Sequence, residues 1–301
     1  MRNFRITLRY DGTNFCGWQR QLGRRSVQES VEAAIAAITQ ETTVRLNASG
    51  RTDAGVHALA QVANFFSTTR LDCPTLLRGI NAQLPPDIIA TDLAEVPQSF
   101  DANKDALSKR YRYVVQTGPW PDPLQRHYAW YVRGPLDVSA MRQAALYLIG
   151  RHDFQAFTTS GSERLNTIRT VLAVDIDGAS YPTSEKKPLP MLARSPSDVQ
   201  YLLIEVEADG FLYNMVRAIV GSLIEVGRGR WSPEQVRTAL LSKDRRHAGP
   251  TAPPHGLFLL AVRYACSAAT GDEPAVAQHN PTARPWTTES QSPPCELSPG
   301  A

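Results

Sequence analysis

Apolar and polar residues alternate strictly at the start of the chain. Phe4, Ile6, Leu8 and Tyr10 are separated by other residues one at a time, which is typical of a strand with one buried face. Further strands are predicted at residues 57–66, 87–95, 108–116, 167–177, 201–208 and 257–264, and within 201–208 the residues Leu202, Ile204 and Val206 alternate cleanly. Strands are therefore predicted along the whole chain up to residue 264.

Helix-start signals lie between these strands. Ser26 and Glu29 fit a capping box, in which a hydroxyl and a carboxylate satisfy free backbone N–H groups, and the apolar stripe that follows predicts a helix to about residue 40. Asp137 is a candidate cap for a second helix, and Ser232 with Pro233 begins another. Helices are also predicted at residues 74–83 and 212–226. The last of these is apolar nearly all round, so we expect it to be buried.

A loop with one glycine and three prolines at residues 118–123 divides the pattern. It predicts two halves, 1–117 and 118–265. Both halves mix strands and helices in a similar order, which favours a duplicated α+β unit, although no sequence repeat is evident. Residues 178–200 are rich in Pro, Ser and Lys and predict an exposed, mobile loop. Residues 266–301 contain six prolines and predict a disordered tail.

Composition narrows the class of protein. The 301 residues are 42% hydrophobic, yet no apolar run approaches the roughly 20 residues of a membrane-spanning helix, and no secretory signal is expected at the start. Four cysteines without metal-type or redox-type spacing predict free thiols in a reducing cytoplasm: Cys16, Cys73, Cys266 and Cys295. Net charge is +3, but residues 1–265 hold 31 basic and 25 acidic side chains. This excess favours a polyanionic partner.

The densest group of chemically useful residues is the segment 50–57, GRTDAGVH. Two glycines allow tight turns and a close approach of substrate to the backbone. Arg51 favours the ionised form of Asp53, which suits a nucleophile or a base. An ordinary polar hairpin with a local ion pair has the same composition, so composition alone does not separate the two interpretations.

Residues 50–57 resemble, at every position, a motif of the TruA family of pseudouridine synthases. Four further segments resemble other motifs of this family in the same order, namely 11–28, 109–113, 210–217 and 248–257. The resemblance covers residues 3–265. Tyr213 and Pro254 depart from it, since arginine and alanine are common at these two positions.

The resemblance implies an α+β fold, with two ferredoxin-like halves forming a central, largely antiparallel sheet, helices on one face and a basic RNA-binding cleft. It also implies a homodimer without cofactor or metal that acts on the anticodon arm of tRNA, at positions 38–40. The implied reaction isomerises uridine: the N1–C1′ bond breaks, the uracil turns, and C5 bonds to C1′. No redox change or group donor is needed, in keeping with the lack of a phosphate-loop or dinucleotide motif.

Four residues receive roles from the resemblance. Asp53 matches the essential aspartate, which attacks C1′, attacks C6 or removes the 2′ proton; the sequence leaves these three open. Tyr111 matches a tyrosine that stacks on the target base, an interaction worth about 1–3 kcal/mol. Arg217 matches an arginine that pairs with the aspartate. Arg51 resembles an arginine that holds the target nucleotide out of the stack.

Other basic residues are candidate phosphate contacts, although a solvated surface charge is an equal alternative for each of them. They are Arg20, Arg24, Arg25, Lys109, Arg110, Arg112, Lys243, Arg245 and Arg246. Tyr113 fits a core strand position better than an RNA contact. The histidines show no close metal-ligand pair, so structural or surface roles are expected.

Three alternative functions remain open at this point. A related synthase acting on other RNA sites would share the same catalytic core. A non-catalytic RNA-binding protein of the same fold would have lost Asp53, Tyr111 or Arg217, and all three are present. A small-molecule enzyme would make the basic character incidental, and RNA competition at low and high salt would identify it.

Overall fold

The computed structural model describes residues 1–159, 166–179 and 200–265. The first elements are β1 (Arg2–Tyr10), α1 (Val27–Thr39), β2 (Asn47–Ala48), β3 (His57–Ser67), α2 (Cys73–Gln83) and β4 (Ile88–Val96). The later elements are β5 (Ala106–Gly118), β6 (Trp130–Arg133), α3 (Val138–Leu146), β7 (Gly150–Asp153), β8 (Ile168–Ala179), β9 (Gln200–Ala208), α4 (Met215–Gly227), α5 (Pro233–Ser242) and β10 (Leu257–Tyr264).

The strands of these described residues form one sheet. Its path runs β4-β1-β3-β10-β5-β9-β8-β7, with β2 added to β3 and β6 added to β5. Neighbouring strands are antiparallel except for the pairs β3–β10 and β5–β6. The predicted α+β class with a central, largely antiparallel sheet is therefore confirmed. The last strand, β10, lies in the middle of the sheet and joins the strands on either side.

One face of the sheet carries the apolar core. Cross-strand register places Phe4 opposite Phe65 and Tyr113 opposite Ile204, and these four side chains are fully buried. All five helices contribute apolar side chains to the same core. Because successive side chains of a strand point to opposite faces, intervening polar residues such as Arg112 lie on the other face.

The helix-start signals correspond to real caps. The Ser26 hydroxyl accepts a hydrogen bond from the backbone N–H of Glu29 at 3.4 Å. Asp137 accepts one from the first turn of α3 at 2.9 Å. Ser232 and Gln235 form a complete capping box at the start of α5. Each cap satisfies a backbone donor that the helix itself leaves unpaired.

The structure differs from the sequence predictions at a few boundaries. α4 begins at Met215 rather than at Leu212, because Asn214 adopts a left-handed backbone conformation that a helix does not continue through. β8 and β9 extend into the predicted loop 178–200, the rest of which lies outside the described residues. The short strands β2, β6 and β7 were not predicted.

Residues 1–265 form one compact unit. The predicted halves, 1–117 and 118–265, share its sheet, and the predicted tail 266–301 lies outside the described residues. Cys16 and Cys73 are free thiols, as predicted. No helix among the described residues is long and apolar enough to span a bilayer.

Candidate active site

Asp53 lies in a tight loop between β2 and β3. The backbone N–H of Val56 donates to the carbonyl oxygen of Asp53 at 3.1 Å and closes a turn. Gly55 takes a φ of +77° within this turn, a conformation that costs glycine little and other residues more. The shape of the loop therefore explains the glycine at position 55.

The segment between β1 and α1 forms backbone hydrogen bonds with this loop. The N–H of Trp18 donates to the carbonyl oxygen of Thr52 at 3.0 Å, and the N–H of Gly55 donates to that of Phe15 at 3.3 Å. Gly17 has a φ of +95°, and a Cβ there would lie 2.8 Å from the Thr52 carbonyl oxygen. The motif at residues 11–28 thus packs directly against the motif at residues 50–57.

A buried polar network supports the loop from below. Tyr10 and Thr52 share a hydrogen bond of 2.8 Å between their hydroxyl groups. The Ser49 hydroxyl donates to Gln61 Oε1 at 2.7 Å, and Gln61 Nε2 donates to the Gly50 carbonyl oxygen at 2.8 Å. Because buried polar groups are costly when unpaired, these side chains define the loop conformation closely.

Arg217, the third residue of α4, reaches the Asp53 carboxylate. Its Nη1 lies 3.5 Å from Asp53 Oδ2, and the two side chains are 15% and 25% exposed. Its Nε donates to the carbonyl oxygen of Ala252 at 2.7 Å, and the Ala252 N–H donates back to the Arg217 carbonyl oxygen at 3.0 Å. Burial raises the pKa of Asp53, and the charge of Arg217 opposes this rise.

Tyr111 of β5 lies beside this pair. The Tyr111 side chain is 8% exposed, and its ring meets the edge of Phe211 with 5.0 Å between ring centroids. Burial raises the pKa of its hydroxyl, and the Tyr10 and Asp53 side chains add to the rise. Tyr113, two residues later, is fully buried, and its hydroxyl donates to the Pro253 carbonyl oxygen at 2.7 Å. The core role expected for Tyr113 is confirmed.

A family profile described as tRNA pseudouridine synthase matches residues 6–103 and 144–265. The chain belongs to the tRNA pseudouridine synthase family. Asp53 and Arg217 lie within the two matched ranges, and Tyr111 lies between them. The site is thus built from residues of both ranges.

Relatives named tRNA pseudouridine synthase A are similar over nearly their whole length. One from Thermoanaerobacter sp. (strain X514) is 43% identical over 264 residues, which are 88% of this chain and 100% of that protein. One from Geobacter sulfurreducens has the same identity and coverage. One from Chloroflexus aurantiacus is 42% identical over 282 residues, covering 94% of this chain and 96% of that protein.

His57 connects the Asp53 loop of this family member to distant segments. It is buried, and its Nδ1 accepts a hydrogen bond from the Gly12 N–H at 3.0 Å. Its Nε2 lies 2.9 Å from the carbonyl oxygen of His127 and 3.1 Å from that of His255. Because both of these partners are acceptors, Nε2 carries the proton. Nδ1 also lies 3.1 Å from Asp11 Oδ1. Burial lowers the pKa of His57, and the Asp11 carboxylate opposes this shift. The ring thus bridges three segments of the chain.

Some of the basic residues predicted to contact RNA lie near the Asp53 loop, and others lie on the opposite face of the sheet. Arg51 is exposed on the Asp53 loop, and the side chain of Lys109 lies beside Gly50, 3.7 Å from the position that a Cβ would take there. Arg20 is exposed near Glu29, at 3.6 Å. Arg110, by contrast, alternates with Tyr111 on β5 and therefore lies on the opposite face of the sheet.

The guanidinium of Arg110 is held by acidic side chains on that opposite face. It lies 2.6 Å from Glu205 and 2.7 Å from Asp175. Arg112 pairs with the same glutamate at 2.6 Å. Among the described residues, no group of three or more His, Cys, Asp or Glu side chains could hold a metal ion.

Sequence reasoning assigned no role to Asn214, although it lies within a matched motif. Its Oδ1 accepts a hydrogen bond from Arg217 Nη1 at 2.6 Å. The spacing of three residues is a signal that could have indicated this contact, because side chains at i and i+3 are neighbours near a helix start.

Proposed function

We propose that this chain isomerises uridine to pseudouridine in tRNA, with Asp53 as the catalytic residue. The observation that carries this proposal is the pairing of Asp53 with Arg217 next to a buried tyrosine, in a chain of the tRNA pseudouridine synthase family. A quarter of the Asp53 side chain is exposed, so a flipped nucleotide has access to the carboxylate. A flipped base is the usual way for an enzyme to reach an atom inside stacked RNA.

The reaction exchanges one bond to C1′ for another. The N1–C1′ bond breaks, C5 of the turned uracil bonds to C1′, C5 loses its proton, and N1 gains one. The overall formula is unchanged. An ionised Asp53 serves this sequence by attacking C1′, by attacking C6 or by removing the 2′ proton. All three routes need the carboxylate form, which the nearby guanidinium favours.

We assign the other groups by their positions. Tyr111 stacks on the target base and handles the proton at C5. Arg217 holds the Asp53 carboxylate ionised and oriented. Arg51, exposed on the same loop, helps to keep the target nucleotide out of the stack.

The substrate region follows from the family resemblance. We propose that the anticodon arm of tRNA binds a basic cleft, that the enzyme acts as a homodimer in the cytoplasm, and that the halves 1–117 and 118–265 form the cleft walls. Lys109 and Arg20 are proposed phosphate contacts. Arg110 reaches RNA only if Glu205 and Asp175 release its guanidinium.

The test is pseudouridine mapping on unmodified tRNA with wild type and Asp53→Asn, a nearly isosteric change. Pseudouridine in the anticodon arm with wild type, and none with the variant despite retained tRNA binding, supports the reaction and its catalyst together. Modification at another RNA site would keep the chemistry and overturn the substrate assignment. RNA binding without pseudouridine from either protein would overturn the proposal in favour of a binding protein.

A further inference from the structure

Asn214 occupies an unusual backbone position immediately before α4. Its φ is 60° and its ψ is 8°, in the left-handed region. Non-glycine residues adopt this region rarely and at some cost in free energy, and they persist there when the surroundings require it. Among the described residues, only Gln40 and Lys243 share this feature with Asn214, and both end a helix rather than begin one.

The side chain of Asn214 is not used as a helix cap. Asparagine is among the preferred residues at such a position because its side chain accepts a hydrogen bond from the first turn, yet Asn214 makes no such bond. Its amide instead bridges two other side chains. Nδ2 donates to Thr159 Oγ1 at 2.9 Å, and Oδ1 accepts from Arg217 Nη1 at 2.6 Å.

The nitrogen that Asn214 binds is also the nitrogen that faces the carboxylate. Arg217 Nη1 lies 2.6 Å from Asn214 Oδ1 and 3.5 Å from Asp53 Oδ2. The guanidinium is fixed a second time where Nε donates to Ala252 at 2.7 Å. Two fixed nitrogens define the plane of a guanidinium, so Asn214 and Ala252 together determine how Arg217 faces Asp53.

We propose that Asn214 is a positioning residue, which acts through Arg217 to aim the guanidinium at the catalytic carboxylate. This inference rests on the function proposed above for Asp53 and Arg217. Catalytic groups lose efficiency when the side chains that orient them are removed. The amide is also neutral, so it fixes the arginine without competing for its positive charge.

The change Asn214→Asp would replace this neutral amide with a negative charge. A second carboxylate on Arg217 would draw the guanidinium away from Asp53 and add a like charge nearby, and both effects raise the pKa of Asp53. The other ionisable groups facing the pair are Tyr111 beside Asp53, and Tyr113 and His255 beside Arg217. Burial raises the hydroxyl pKa of both tyrosines, so they stay protonated in the acidic range, and burial lowers the pKa of His255.

The first test compares Asn214→Gly with wild type in single-turnover pseudouridine formation, tRNA binding and thermal unfolding. Glycine adopts the left-handed conformation without strain, so we expect the unfolding midpoint and tRNA affinity to be retained. The rate should fall by about ten-fold or more, since an orienting contact is lost. Gln40→Gly relieves the same backbone strain at the end of α1, far along the chain from this motif, and should leave the rate unchanged.

The second test measures the pH dependence of kcat/KM for Asn214→Asp. We expect the acidic limb of the profile to move to higher pH than in wild type, a change that a purely structural role would not produce. A rate for Asn214→Gly within about two-fold of wild type, or an unshifted profile for Asn214→Asp, overturns the positioning role. If wild type itself makes no pseudouridine, the proposed function fails. If wild type is active and the Asn214 variants have the same rate and pH profile, only the inference about Asn214 fails.

Discussion

At the scale of single residues, Asp53 is an ionisable group that the fold keeps largely out of water. Burial raises its pKa above the ordinary value of 3.8 even though Arg217 opposes the rise. A group whose pKa is higher in the folded state than in the unfolded state binds its proton more tightly when folded. The folded protein therefore loses stability as the pH rises from below 3.8 through the raised pKa. At neutral pH the ionised Asp53 carboxylate therefore costs the folded protein some stability.

Asp53→Asn should for this reason be at least as stable as wild type at pH 7. The amide mimics the protonated carboxyl, so the gain should shrink as the pH falls toward 3.8, where both states of the wild type become protonated. Urea unfolding from pH 7 to pH 4 would measure this trend. Asp177→Asn is a matched control at a side chain that is 81% exposed, and it should change little. Lower stability of Asp53→Asn than of wild type at pH 7 would contradict the prediction.

At the scale of elements, α4 packs backbone to backbone against the segment 248–252. A Cβ on Gly221 would lie 1.6 Å from the carbonyl oxygen of Pro250. The Gly249 N–H donates to the Ser222 hydroxyl at 2.8 Å. This segment ends at Ala252, whose carbonyl oxygen binds Arg217. The close approach of the two backbones therefore positions one of the acceptors that hold Arg217.

Gly221→Ala should destabilise the protein, by about 3 kcal/mol or more, because the added methyl group has no space. The direction is diagnostic, since helix propensity alone would favour alanine by about 1 kcal/mol. Urea unfolding measures the change. Gly178→Ala is the control, because a Cβ on Gly178 meets no atom within 4 Å. A Gly221→Ala variant as stable as wild type would contradict the packing of α4 described here.

The sequence predicted long elements well and short ones poorly, for physical reasons. β1 and β9 show several periods of alternation, and caps such as Asp137 define helix starts, whereas β2 has two residues and no period to detect. Asp53 and Arg217 are 164 positions apart, so only the resemblance brought them together. Alternation on β5 does indicate that Arg110 and Tyr111 face opposite ways, and this signal could have separated their roles from sequence.

At the scale of the whole molecule, the family match ends at residue 265. The Thermoanaerobacter relative aligns over its entire length with 264 residues of this chain. Residues 266–301 form a tail beyond the family match. Each residue of the site described above lies before this tail.

A chain ending at Ala265 should accordingly keep nearly the full rate of pseudouridine formation on tRNA. The rate and the unfolding midpoint of the truncated chain, compared with those of the full chain, provide the measurement. A large loss of rate with an unchanged midpoint would show that the tail takes part in catalysis or tRNA binding, contrary to this prediction.

The central position of β10 also has a consequence for the folding of the chain during its synthesis. β10 (257–264) lies between β3 and β5 in the sheet. Until these residues leave the ribosome, a nascent chain therefore has no strand to pair β3 with β5. Pairings between segments so distant along the chain form late, because their loop-closure entropy is large. A prematurely terminated chain lacking these residues also lacks the strand that joins the Asp53 side of the sheet to the Arg217 side. A chain that ends before residue 257 is therefore expected not to bring Asp53 and Arg217 together.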